Sequence, residues 1–76
     1  MKEQTLGQRR VKAEFNPAKD GVVDQIKNKA AELIDLLETM KGGETLVSME
    51  KMRLIAISQT EIETATMYGV KAVFTD

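Results

Sequence analysis

Two kinds of side chain in this sequence suit recognition chemistry: cations matched to phosphate, and flat rings matched to a nucleobase. The cations are Arg9, Arg10, Lys12, Lys27, Lys29 and Arg53, and the rings are Phe15 and Tyr68. Short polar groups at Thr5, Thr60 and Thr64 can fix a ligand's orientation. A site for a small phosphorylated ligand needs all three types. Arg9 and Arg10 offer forked donors that fit phosphate and are placed to fold over a ligand or a partner protomer. Each residue also has a plainer reading: Phe15 as a core plug or hydrophobic staple, Lys27 and Lys29 as exposed helix positions, Arg9 as part of a solvated tail. Arg53 is the more informative cation. On a helix it shares one stripe with Thr60, Thr64 and Lys71, where an oligomer axis would gather copies of Arg53 around an anion.

Catalysis has little to work with. The chain contains no His and no Cys, the groups that most often titrate or attack at neutral pH. Glu61 and Glu63, two positions apart on a helix, do not share a face. There is no helical acid-and-His metal pattern, no Gly-rich phosphate loop and no Ser in a nucleophile context. The sequence therefore predicts a binding protein, not an enzyme, with no cofactor and no metal.

The elements that must position these residues are helical. Val23, Ile26, Ala30, Leu33, Leu37 and Met40 recur at alternating spacings of three and four, a coiled-coil-like seam broadened by Ile34 and Leu36. Asp20 is the better N-cap for this helix, with Asn16 followed by Pro17 as an alternative start one turn earlier. Lys41-Gly42-Gly43 ends it. A second helix opens at Thr45 or Ser48 and runs towards Phe74. Its run Leu54-Ile55-Ala56-Ile57 spreads apolar residues round most of the circumference, so it needs neighbours on more than one side. Ile55, Ile62 and Val73 are expected to face the protomer core, Leu54 and Ile57 to meet neighbouring protomers, and Gly69 to permit close helix approach. The expected architecture is an all-α single small domain over 1–76: arm and turn over 1–16, a first long helix over 17–41, and a second, antiparallel, over 45–74.

With 76 residues, a single core is marginal, and without Cys or His neither a disulfide nor a zinc site can staple it. Oligomerisation is the remaining ordinary device, so a compact helical homo-oligomer is expected. Hydrophobic residues make up 42% and charged residues 30%, the balance of a folded soluble chain. No apolar run reaches the length needed to span a bilayer, and no secretory signal is evident, so no membrane partner and a cytoplasmic location are expected. Residues 1–19 carry five cations against two acids, whereas 20–41 carry five acids against three lysines. A pI near 5.4 argues against duplex nucleic acid as partner and leaves room for a small anion.

Two segments, FNPAKDGVVDQIKNKAAELIDLLE and EKMRLIAISQTEIETATMYGVKA, resemble the second type of phage anti-CBASS protein, the family that soaks up the cyclic oligonucleotide signals of bacterial anti-phage defence. The likeness lies in the Phe15-Asn16-Pro17 turn, the Arg-Leu-Ile-Ala-Ile run, the Gln59-Thr60 step, and Met67 followed by an aromatic and a Val-Lys-Ala ending. It implies a homohexamer of antiparallel dimers, in the host cytoplasm during infection. Such an assembly holds cyclic dinucleotides of the cGAMP type in pockets between protomers and cyclic trinucleotides near its three-fold axes, blocking CBASS signalling without cleaving the messenger. The resemblance places Phe15 and Lys27 in the dinucleotide pocket, with Lys29 and Lys12 as substitutes for Lys27, and Arg53, Thr5 and Arg9 in the trinucleotide site. Where the family usually has Tyr as the stacking residue, Phe15 keeps the ring but lacks the hydroxyl, and Tyr68 stands where many relatives carry Trp. The alternative is a structural or regulatory helical module that binds another protein through the Met- and Ile-rich second helix, which would need an exposed apolar groove. A small nucleic-acid-binding regulator using the arm comes third.

Overall fold

A computed structural model describes residues 3–41 and 48–76, which form three helices: α1 (Leu6–Val11), α2 (Gly21–Thr39) and α3 (Met49–Val73). The expected turn at Gly42-Gly43 and the alternative cap Thr45 lie outside the described residues. No strand occurs among the described residues, and the two long helices pair as a hairpin.

Each helix starts where a short polar side chain can satisfy its free backbone donors. Asp20 caps α2, accepting from the Val22 and Val23 amides at 2.8 and 3.2 Å. Asn16 does not start the helix. Its amide instead donates to the Asp20 carbonyl at 2.7 Å and to Asp24 Oδ1 at 2.9 Å, shaping the turn that delivers Asp20. Ser48 caps α3 through the Lys51 amide at 3.0 Å.

The basic N-terminal segment folds into α1 rather than trailing as a tail. Thr5 and Gln8 form a reciprocal capping box, with Thr5 Oγ1 accepting from the Gln8 amide at 3.1 Å and Gln8 Oε1 accepting from the Thr5 amide at 2.9 Å. Six residues are too few for an isolated helix, so α2 must hold it. At its start, the Gly7 amide donates to Asp35 Oδ1 at 2.7 Å. At its end, Lys27 Nζ donates to the carbonyls of Lys12 and Phe15. An acid at the N-terminus and a cation just past the C-terminus both complement the helix dipole. The same contacts make α1 antiparallel to α2.

Gly7 is required by packing. A Cβ there would lie 2.1 Å from the Ala31 carbonyl oxygen, so the two backbones touch. Around this contact sit Val11, Ala31 and Ile34, with Leu6, Ala13, Ala30 and Ile62 packed against them.

On the other side of α2, Gln59 of α3 is buried and donates to the Ile34 carbonyl at 3.1 Å and to Glu38 Oε1 at 2.9 Å. Gly69 faces Ile26, with room for a Cβ at 3.6 Å from the Ile26 side chain. Residue 26 thus pairs with 69 and residue 34 with 59, which makes α2 and α3 antiparallel. Gly69 serves this contact within the protomer.

The buried stripe of α2 is Val23, Lys27, Ala31 and Ile34, rotated from the seam expected from spacing. Ile26, Ala30 and Leu37 are half-buried, but Leu33 and Met40 are exposed. The shift arises because α2 has two neighbours, and the side that meets α1 turns Leu33 and Met40 outward. Leu33, Leu36 and Met40 of α2, and Leu54 and Tyr68 of α3, are left exposed on flanks turned away from α1. On α3, Ile55 is buried and Ile62 and Val73 are half-buried, facing the protomer core as expected. No helix among the described residues is long and apolar enough to cross a membrane.

Candidate functional site

The site grows out of the way α1 ends. Lys12 adopts the left-handed conformation at φ 54°, reversing the chain so that the Phe15 amide reaches the Lys12 carbonyl at 2.9 Å. The turn points the Phe15 ring outward, 63% exposed. A ring so exposed leaves a face on which a flat ligand can stack. Beneath it lies Lys27, only 7% exposed, its Nζ 5.5 Å from the ring centroid in cation–π range. Two of the ammonium's three N–H groups are committed to backbone carbonyls, which offsets the cost of burying the charge.

A groove of about 370 Å³ opens between this turn and α3. Arg10 and Val11 form one wall, Lys12, Phe15 and Lys27 the end, and Glu63, Thr66, Met67 and Val70 the facing wall. That volume lies at the small end of the range for ligand pockets, about 300–1,000 Å³. On the outer side of the turn, a depression of about 380 Å³ is lined by Gln4, Arg9, Lys12, Glu14 and Phe15. Lys12 and Phe15 border both. A smaller cavity of about 140 Å³ also touches Phe15 and Lys27, against Val23, Val70 and Phe74. We take the larger groove as the site, because it adds Arg10 and Lys12 to the ring, the Lys27 ammonium and an apolar wall. Arg10 spans its mouth, with Nε donating to Glu63 Oε1 at 2.8 Å and Nη2 to Thr60 Oγ1 at 3.3 Å.

Of the residues the sequence nominates for a dinucleotide, the structure thus brings Phe15, Lys27 and Lys12 to one groove. Lys29 is exposed and outside that lining. Of the three residues nominated for a trinucleotide, Thr5 and Arg9 sit one helical turn apart at the start of α1, where the Arg9 amide donates to the Thr5 carbonyl at 3.0 Å, while Arg53 lies on α3. Thr5 caps α1, Arg9 donates to the Gln4 carbonyl at 3.3 Å, and Arg53 makes a two-pronged pair with Glu50 at 3.0 and 2.7 Å. The Arg53 guanidinium holds the Glu50 carboxyl below its ordinary range, and Glu50 in turn raises Arg53. No hydrogen bond or ion pair among the described residues joins Arg53 to Thr5 or Arg9.

The facing wall was not nominated from sequence. Glu63, Thr66, Met67 and Val70 follow one another at helical spacing, a signal that was present. It was masked by the competing stripe through Arg53, Thr60 and Lys71. Among the described residues, no cluster of three or more acids can hold a metal ion. The Thr66 hydroxyl donates to the Ile62 carbonyl at 2.7 Å, so it presents its methyl and oxygen rather than a free donor.

The chain matches the family model described as Acb2/Tad1, hairpin domain, over residues 8–74. That span contains the end of α1, the Phe15 turn and both long helices. No curated protein and no solved structure matches the chain.

Proposed function

The chain belongs to the Acb2/Tad1 hairpin-domain family, the anti-CBASS cyclic-nucleotide sponges, and on that premise we propose that it binds and sequesters cyclic di- and trinucleotide messengers without cleaving them. The observation that carries the proposal is the exposed Phe15 ring over the Lys27 ammonium at the end of a groove with an apolar wall. A base stacks on the ring, and the cations of the groove answer the phosphates.

The groove is too open within one chain to enclose a ligand of this size. A homohexamer supplies the missing walls, and the apolar residues exposed on α2 and α3 favour such self-association. Lys29, on the outer side of α2, reaches a dinucleotide only from a neighbouring protomer. Arg53, Thr5 and Arg9 likewise form a trinucleotide site only where protomers meet, with Arg53 leaving Glu50 for phosphate. The setting we propose is the host cytoplasm during infection.

Calorimetric titration with 3′,3′- and 2′,3′-linked cyclic dinucleotides and with cyclic trinucleotides tests the binding. Heating and deproteinising the complex then tests sequestration. Intact nucleotide should return to solution, whereas linear products, or no heat with any of these ligands, would refute the proposal. The same apolar surface also favours the second reading, a helical protein-interaction module. That reading predicts a monomer by light scattering and no nucleotide binding.

A further inference from the structure

A groove built for phosphate should not contain a carboxylate without reason, yet Glu63 lines it beside three cations. The cations are also less available than their number suggests. Lys27 has given two of its N–H groups to backbone carbonyls. Arg10 has given Nε to Glu63 and an Nη2 hydrogen to Thr60. Among the described residues, Arg10 is the only guanidinium lining the groove, and therefore the only group there with a planar fork that can hold a phosphodiester by two parallel bonds.

The geometry points to Arg10 as a phosphate-contacting residue held ready by Glu63, which acts as a displaceable internal anion. This inference rests on the reading of the groove as a cyclic-nucleotide site. The pair lies at the groove mouth, with side chains 24% and 37% exposed, so Glu63 can swing to solvent without stranding a buried charge. An incoming phosphodiester replaces the carboxylate on the Arg10 fork. A nucleoside without phosphate offers nothing to exchange and meets the latch closed. The latch thus selects for the anionic backbone of the ligand, while Phe15 reads its base. It also ties α1 to α3 across the mouth, so exchange at Arg10 loosens the entrance as the ligand arrives.

The test is a calorimetric cycle on the full chain with 3′,3′-cyclic GMP–AMP as the probe, using Arg10→Gln, Glu63→Gln and the double variant, with thermal melts to confirm folding. Loss of charge-assisted hydrogen bonds at Arg10 should weaken binding by roughly tenfold to a hundredfold. Removing Glu63 should tighten it by about two- to fivefold, the scale of a partly exposed ion pair no longer broken on binding. The double variant should match Arg10→Gln, since Glu63 matters only while Arg10 is present. Arg10→Lys, which keeps the charge without the fork, should also lose affinity. Glu63→Gln binding as wild type or more weakly, or Arg10→Gln keeping wild-type affinity, overturns the latch alone. A wild-type chain that binds no cyclic nucleotide overturns the functional reading and the latch with it.

Discussion

Two glycine-to-alanine substitutions should move stability in opposite directions, and the structure gives the size of each. In Gly7→Ala the new methyl would lie 2.1 Å from the Ala31 carbonyl oxygen, against an ordinary contact of at least 3.4 Å, and 2.8 Å from two further backbone atoms. The obstacle is the backbone of α2, so no side chain can swing aside. Helix α1 must instead retreat by roughly 1.3 Å, which stretches the 2.7 Å bond from the Gly7 amide to Asp35 beyond hydrogen-bonding range. Losing that charge-assisted bond costs about 1.5–3 kcal/mol, and loosening the packing round Val11 about 1 kcal/mol more. Better helix propensity returns up to about 1 kcal/mol. The net loss is about 1.5–3 kcal/mol, which for a domain of this size lowers Tm by on the order of 10 °C. Gly69→Ala meets only Ile26, at 3.6 Å, and should gain about 0.5–1 kcal/mol in a helix interior. Circular-dichroism melts at one fixed protein concentration measure both, since assembly would make Tm concentration-dependent. A Gly7→Ala variant melting at or above wild type would refute the assigned α1–α2 contact.

Further outcomes separate structure from binding. Phe15→Ala removes an exposed ring and should abolish dinucleotide binding in calorimetry with little change in Tm. Lys27→Ala should abolish binding and also destabilise the fold, by about 2–4 kcal/mol, because the carbonyls of Lys12 and Phe15 lose their buried donor. The Glu38 carboxyl is held below its ordinary value of 4.5 first by the Gln59 amide and then by Lys41. A lowered folded-state value means stability that is present above about pH 4.5 and lost as pH falls through the folded value. Gln59→Leu should therefore flatten the acid limb of a Tm-against-pH profile, and an unchanged limb would count against that bond. Arg53→Ala should remove cyclic trinucleotide binding and leave dinucleotide binding intact in a competition titration.

Much of the framework was legible before any coordinates. Asp20 and Ser48 cap the long helices because short acceptors at those positions meet free amides, a rule that acts over three residues. The resemblance nominates Phe15 and Lys27, and the structure sets the Lys27 Nζ 5.5 Å from the Phe15 ring centroid, both lining one groove. Other features stayed hidden because they depend on partners far along the chain. Nothing near Lys27 in the sequence shows that its ammonium is buried under the turn it supports. Nothing near Glu63 shows that Arg10 lies across from it, 53 residues away in the chain.

The sequence by itself determined the helical class, a choice of two candidate caps for each long helix, the absence of His and Cys chemistry, and the family. These follow from periodicity, local capping and residue type, which need no knowledge of neighbours. Only the tertiary structure decided that the N-terminal segment is a helix, that Gly7 matters more than Gly69, and that Leu33 and Met40 face outward. The physical reason is common to all three. α1 is too short to exist alone, and it forms because Asp35, Ala31 and Lys27 receive it along one side of α2. Once it docks there, it fixes which stripe of α2 is buried and where the Phe15 ring must stand.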